Sequence, residues 1–463
     1  MTNLQLGVVA GLVLGLLFTA SPLTVVAIAL SVPVLVLAGR GLPAPERRLL
    51  TGLLIAALLL RAAAIAGLVV IGIPHHNDLA IGSLTGDDSY YLSRAIRTRD
   101  IMLGYTGGKY DYFVVNDEYG RTSYLGVLTV LQLVFGPTPF SMRLLNAVLF
   151  TAGAVLLFRI ARKSFGPLPA ITGAVVILFL PSLVWSSITL LKESLYFLSS
   201  AALLFCVVAL TRAPRLSRGI ALVAASLVLL WLVDDLRRGA LMLAVAGLGL
   251  AVIIRFAFVA PVRLAIISVA AIIGVAVAVA ETRIQDRAID AIESAARLHG
   301  GHVFTRGHAY KLLDEGFYKL PSAPDSWPLE LTATQAGRFV VRAVIAFVTI
   351  PWPWQMRSLG EFAYLPDQLI WYLTLIGLPA GLIAGWKRDP WTVSLLVGFA
   401  LPIAAVIALT NGNVGTLMRL RGVVIPYLLW IGTLGLLVIA DALAGARHRA
   451  ETGLTDRLTE RHA

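Results

Sequence analysis

Charge and cysteine are both scarce in this chain of 463 residues. Only 14% of the residues are charged, and Cys206 is the single cysteine. One cysteine excludes an intramolecular disulfide and any metal cluster built on thiolates. It lies inside an apolar run and reads as a small buried hydrophobe. Low-complexity linkers and internal repeats are missing. So are a glycine-rich nucleotide loop, an H-E-x-x-H helix and a G-x-S-x-G elbow, the simplest signatures of nucleotide, zinc and serine chemistry. The short alternating segments of a transmembrane barrel are lacking too.

What is present is apolar length. Hydrophobic residues make up 58% of the chain, and the mean hydropathy is +0.83. Runs of about twenty apolar residues recur, each long enough to cross a bilayer. They fall near 5–20, 22–39, 49–73, 139–158, 167–187, 193–211, 217–234, 240–258, 261–280, 366–386, 391–410 and 421–443. The expected fold is an all-α polytopic membrane protein, a bundle of about twelve transmembrane helices with loop helices on its outer face. The run 4–20 has no basic segment before it and is followed almost at once by 22–38, so it reads as half of a retained hairpin rather than a cleavable signal.

The formal net charge of +12 does not argue for nucleic acid. Most basic residues flank apolar runs, where they set topology and meet anionic headgroups. Arg40, Arg47 and Arg48, then Arg159, Arg162 and Lys163, Arg212, Arg215 and Arg218, Arg255 and Arg263, Lys387 and Arg388, and finally Arg447 and Arg449 all fall on one side. By the positive-inside rule that side is cytoplasmic, with both termini on it. The organisation expected is a transmembrane hairpin at 1–40, a membrane domain at 41–445 and a basic cytoplasmic tail at 446–463. Outer loops fall at about 75–138 and 281–338. The segment 339–350 is apolar but breaks the topology if it crosses, so it reads as a re-entrant or interfacial helix. Residues 125–135 read as a helix on the outer surface. The second outer loop opens with a helical amphipathic pattern at Ile284, Ala288, Ile289, Ile292 and Ala296.

Charged groups not explained by topology collect on the outer side. Asp87 and Asp88 follow Gly86 at the head of a short helix that carries Tyr91. An aspartate there can cap the helix, but a cap needs one carboxylate. The second suits a base or anchor for an acceptor hydroxyl, or a ligand for a divalent cation such as Mg or Mn. Lys192 and Glu193 mark a helix end, either as a local ion pair or as a contact to a lipid phosphate. Arg237 and Arg238 oppose the positive-inside bias. Asp234 and Asp235 in the same turn can neutralise them, or the arginines can hold phosphate. Arg419 and Arg421 follow Asn411-Gly412-Asn413-Val414-Gly415 with no acid nearby in sequence, and a phosphate is the natural counter-charge. His75 and His76 read as surface loop, as do His299, His302 and His308.

These residues resemble those of the integral-membrane GT-C glycosyltransferases, the superfamily of protein mannosyltransferases and aminoarabinose transferases. The likeness rests on Asp87-Asp88-Ser89-Tyr90-Tyr91 in the first outer loop, on the run from Phe135 through Arg143 and Asn146 to Gly166, and on Leu191-Lys192-Glu193. Pro351-Trp352-Pro353-Trp354 and Gly415-Thr416 with Arg419 and Arg421 are similar to bacterial members tied to cell-surface polysaccharide. It covers residues 49–430 loosely, and two extra spans precede the usual first helix. The resemblance implies a GT-C-like bundle that moves a sugar from a polyprenyl-phosphate carrier to a glycan, lipid or protein acceptor, on the extracytoplasmic face of a bacterial inner membrane. Asp87 would be the catalytic carboxylate, with Asp88 where the family often has Glu, and Arg419 and Arg421 would hold the carrier phosphate. The competing expectations are a polymerase or ligase using a polyprenyl-diphosphate-linked glycan, and a lipid-glycan flippase or transporter.

Overall fold

The computed structural model describes residues 21–72, 86–105, 107–109, 122–212, 215–305, 307–318, 330–356 and 358–460, with positions 7, 11 and 15 besides. It leaves the side chains at 69–72, 86–87, 275–280, 359–360 and 446–460 outside that description. Apart from positions 7, 11 and 15, the expected span at 5–20 falls outside the described residues, as does the His75-His76 segment. The described residues are helical apart from short connections, and the chain divides into two compact units, Met1–Leu241 and Met242–Ala463.

The first unit holds α1 (Pro22–Gly39), α2 (Ala44–Gly72), α3 (Gly86–Met102), α4 (Ser123–Phe135), α5 (Pro139–Phe165), α6 (Pro167–Phe179), α7 (Pro181–Ile188), α8 (Glu193–Leu210) and α9 (Leu216–Leu236). The helix α10 (Ala240–Ala257) begins at the division, and the second unit adds α11 (Pro261–Ala280), α12 (Thr282–Val303), α13 (Ala333–Thr349), α14 (Leu365–Arg388), α15 (Pro390–Thr410) and α16 (Val414–Glu460). Among the described residues nine helices are long and apolar enough to cross a membrane, and the bent pair α6–α7 makes a tenth if taken as one span. The protein is thus a multi-pass membrane protein of helices. The described apolar part of α11, Pro261–Gly274, is shorter than a span.

In the first unit α5 is an enclosed helix, packed by α1, α2, α6 and α8, and it buries Arg143 and Asn146 along with its apolar residues. A chain of hydroxyls ties it to α1: Thr24 Oγ1 lies 2.8 Å from Ser141 Oγ, which donates to Ser21 Oγ at 2.7 Å. At the other end of α5, Arg162 Nε donates to Glu46 Oε1 of α2 at 2.5 Å. By contrast α9 buries only Val233 and Leu236 and presents Leu227, Val228 and Trp231 outward, as a lipid-facing helix does. The span expected at 167–187 is bent by 56° because Pro181 lacks the amide that would continue the ladder.

In the second unit α14 and α16 touch backbone to backbone. A methyl group at Gly432 would sit 2.7 Å from the Thr374 carbonyl oxygen, and one at Gly381 or Gly435 would collide with the facing backbone. Small residues allow this approach between membrane helices. The apolar segment 339–350, expected as a re-entrant or interfacial helix, falls in α13, which is 17 residues long and ends at the C-cap Ile350. A capping box starts it, with Gln335 N donating to Thr332 Oγ1 and Thr332 N to Gln335 Oε1. One face of α13 (Ala336, Phe339, Ala343, Ala346, Phe347) is buried, in a unit where it packs against α12 and α15. The expected amphipathic helix after 281 is α12, with Ala296, His299 and Gly300 buried.

Candidate functional site

The first acidic pair opens α3, as expected. Asp87 lies in its first turn, and its side chain is outside the described residues. Asp88 is fully buried. Its Oδ2 accepts from Arg143 Nη2 of α5 at 2.5 Å, and its Oδ1 accepts from the backbone amide of Leu190 at 2.6 Å. Leu190 belongs to the break between α7 and α8, whose freed backbone groups need partners. Asn146, one turn beyond Arg143, supplies two: its Nδ2 reaches the Thr189 carbonyl at 2.7 Å and the Leu191 carbonyl at 3.2 Å, and also donates to the Tyr124 hydroxyl at 3.0 Å. Two side chains, Asp88 of α3 and Asn146 of α5, therefore hold the unwound segment 189–191 that leads into Lys192 and Glu193, and Arg143 braces Asp88.

Aromatic rings extend the cluster. Tyr91 stands edge-on to Tyr124 with centroids 5.7 Å apart. Burial pushes the Tyr124 phenol up, the Asn146 hydrogen bond opposes this, and the Asp88 and Glu193 carboxylates push it further up. Tyr124 therefore stays a neutral hydroxyl. Lys192 is the N-cap of α8 and Glu193 its first residue, both half-buried. One turn on, Tyr196 lies under Arg237, whose guanidinium carbon is 5.5 Å from the ring centre. Asp88, Tyr91, Lys192, Glu193 and Arg237 thus belong to one continuous cluster in the first unit, with Arg238 exposed beside Arg237.

The turn at 234–238 corrects one expectation. Asp234 and Asp235 do not pair with Arg237 and Arg238. Asp235 Oδ2 accepts from Ser123 N at 2.7 Å, at the head of α4, and Asp234 Oδ1 accepts from Leu241 N at 3.1 Å, at the head of α10. Unpaired amides at helix N-termini carry partial positive charge and draw carboxylates.

In the second unit Arg419 is exposed and Arg421 fully buried. Arg421 Nη1 donates to Gln368 Oε1 at 2.7 Å, and Nη2 donates to the carbonyls of Ala346 and Phe347. Its guanidinium lies over Phe347 and Trp371, at 5.3 and 5.5 Å. The surface reading of His299 is overturned. It is fully buried on α12 among Tyr310, Tyr318 and Phe339. Its ring nitrogens sit beside the backbone of Asn411 and Tyr310, without a hydrogen bond of ordinary geometry. Burial lowers its pKa from 6.5 to about 4.

In the sequence Arg143 stands only as one residue of the run 135–166, with no role of its own, and Arg61, fully buried in α2, is not singled out. Arg61 Nε donates to Ser187 Oγ at 2.8 Å and Nη1 to the Leu178 carbonyl at 2.9 Å, so one side chain braces both halves of the bent pair. Beside the brace lies an apolar cleft of about 550 Å³, lined among others by Leu60, Ala64, Val184, Trp185 and Ile188. The sequence signal for both arginines was their place within or at the end of an apolar run, where an ionisable group is costly without a purpose.

A divalent cation does not suit Asp88, because both of its oxygens already accept hydrogen bonds within the protein. Among the described residues no cluster of three or more His, Cys, Asp or Glu side chains could hold a metal ion. Compared with protein-family models, curated proteins and solved structures, the chain finds no match.

Proposed function

We propose that the protein is a GT-C-like membrane glycosyltransferase, which moves a sugar from a polyprenyl-phosphate-linked donor to an envelope glycan, lipid or protein. The finer bundle architecture, the extracytoplasmic position of the site and the inner-membrane location belong to the same reading. The observation that carries it is the buried Asp88–Arg143 pair. It anchors the head of α3, where Asp87 lies, to the unwound segment before Lys192 and Glu193.

The roles divide accordingly. Asp88 is a positioning residue, because its carboxylate is fully used inside the protein. Asp87 is the base. It takes the proton of the acceptor hydroxyl as that oxygen bonds to the anomeric carbon. The bond from that carbon to the carrier phosphate breaks, and its electron pair leaves with polyprenyl phosphate. Lys192, Arg237 and Arg238 are the cations of the same unit that can stabilise the departing phosphate charge. Tyr91 borders the acceptor side. In the second unit Arg419 keeps the carrier-phosphate role that the resemblance implies, and Arg421 positions the helix that bears it. The apolar cleft next to Ile188 suits the isoprenoid tail. No step is routed through a metal.

The test is release of free polyprenyl phosphate from a polyprenyl-phosphate sugar by the purified protein in lipid nanodiscs, with candidate acceptors present. Asp87→Asn should lower the rate by about 10²–10⁴-fold, the usual worth of a positioned base. Arg419→Ala should lower it as well. Folded wild-type protein that releases nothing from any common monophosphate donor would sink the reading and favour a diphosphate-donor polymerase or a transporter.

A further inference from the structure

Three stretches of the first unit, all at the ends of apolar helices, carry three cations each. They are 40–48 at the turn from α1 into α2, 159–163 in the last turns of α5, and 212–218 on the way from α8 into α9. Far apart in sequence, they meet in space. Arg159 of α5 donates to the Leu37 carbonyl at 3.3 Å and to the Arg40 carbonyl, and so caps the last turn of α1. Arg162 Nε and Nη2 donate to Glu46 Oε1 and Oε2 of α2, at 2.5 and 2.9 Å. Arg212 Nη2 reaches Ser164 Oγ near the end of α5, at 3.4 Å. The α1–α2 turn has a defined shape of its own. Gly41 has φ +73°, which favours glycine. A methyl group at Gly39 would lie 2.9 Å from Arg47 Cγ, so the stem of Arg47 packs against that glycine.

The charge gathered here is of one sign. Glu46 is the one acid within the three stretches, and Arg162 takes both of its oxygens. Arg40, Arg48, Lys163, Arg215 and Arg218 are exposed, and among the described residues no carboxylate pairs with them. Apolar side chains lie open directly beside these cations: Leu49 follows Arg48, and Leu216, 82% exposed, follows Arg215.

We propose that this face of the first unit binds an anionic phospholipid, through its phosphate and its acyl chains together. Guanidinium forks and an ammonium group match phosphate oxygens. The cations stand where apolar helices end, which is the depth of the headgroup phosphates in a bilayer. Leu49 and Leu216 offer acyl chains an apolar surface next to the same phosphate. A soluble anion would satisfy the charge and leave those leucines uncovered. Setting topology needs cations in each connection by itself. It does not need the bonds from Arg159, Arg162 and Arg212 that gather three connections into one face. The inference stands apart from the glycosyltransferase reading.

The experiment is native mass spectrometry of the full-length protein, stripped of lipid in detergent, with dioleoyl phosphatidylglycerol or dioleoyl phosphatidylcholine added back. Phosphatidylglycerol should form its first adducts about tenfold or more tightly than phosphatidylcholine. The triple variant Arg48→Gln, Lys163→Gln, Arg215→Gln removes one exposed cation from each stretch and none of the bonds between them. It should lose that preference and keep its helical circular dichroism. The triple variant Arg283→Gln, Arg287→Gln, Arg297→Gln removes the same charge from exposed positions of α12 and should keep the preference. Equal binding of the two lipids by the wild type would overturn the proposal, as would a preference that survives in the first variant. Equal loss in both variants would also overturn it, by assigning the effect to net charge. So would displacement of the lipid by glycerol 3-phosphate at matching concentration, because that probe has the phosphate and lacks the chains.

Discussion

Two buried arginines, one in each unit, solve the same electrostatic problem in different ways. Arg143 is matched by a carboxylate, Asp88, equally buried and 2.5 Å away. Arg421 has no acid partner among the described residues. It is satisfied by the Gln368 amide oxygen, by two backbone carbonyls and by the faces of Phe347 and Trp371. The first arrangement concentrates the compensation in one bond, so it is strong and brittle. The second spreads it over neutral dipoles, none of which is indispensable alone. A joint that must hold an unwound segment in place benefits from the first kind. A packed helix crossing tolerates the second.

The largest effect should come from breaking the matched pair on one side. Asp88→Asn leaves Arg143 charged and uncompensated, at a cost of about 3–5 kcal/mol. Thermal unfolding in detergent should show it. Asp88→Leu combined with Arg143→Leu should be milder than either single change, because no charge is then stranded. If the double variant is as damaged as the sum of the singles, the pair is not a coupled unit.

The distributed arrangement should be more forgiving. Arg421→Met removes the charge along with its donors and leaves the Gln368 oxygen and two carbonyls to find other partners, at about 1–3 kcal/mol. The same unfolding assay would rank it below Asp88→Asn. An equal or larger loss would mean that Arg421 carries more than packing.

The smallest and most selective effect concerns pH. His299 is neutral at pH 7 in the folded chain and mostly neutral in the unfolded one. Its folded pKa, about 4, lies below the ordinary 6.5. As pH falls below 6.5 the unfolded chain takes up the proton first, so the stability contributed by neutral His299 is lost between 6.5 and 4. The groups facing it are Tyr310, Tyr318, Phe339 and the backbone at Asn411, with His302 on the same helix; none is a carboxylate that would rescue the charged form. Hydrogen exchange of peptides from 299–318 should quicken over this range, while peptides around Asp88 change less. His299→Leu should flatten the response, and an unchanged slope in that variant would assign the pH dependence to other groups.

The helical, multi-pass character was legible in sequence, because apolar runs between basic loops carry their own boundaries, but against about twelve expected spans the described residues hold nine helices long and apolar enough to cross, or ten with the bent pair. The head of α3 was legible from Gly86-Asp87-Asp88, and α12 from the spacing of Ile284 through Ala296. The partners were harder to see. Arg143 lies 55 residues from Asp88, and no local pattern reports that distance. His299 was misread although the signal was present. It continues the inward stripe of the partly buried Ile292 and the buried Ala296 by a further turn, which its polarity concealed. The acids at 234 and 235 were expected to seek the nearest arginines, and the helix ends outcompeted them. Local charge arithmetic sees side chains and omits the amides.

The close approach of α14 and α16 restricts how this molecule can move. Where two backbones touch at paired glycines, neither helix can slip by a turn along the other without driving a side chain into a peptide group. The two helices form a locked register, and Arg421 and Gln368, one on each, inherit it. Any motion that opens the second unit has to be sought in the elements around this pair, which stays fixed as their fulcrum.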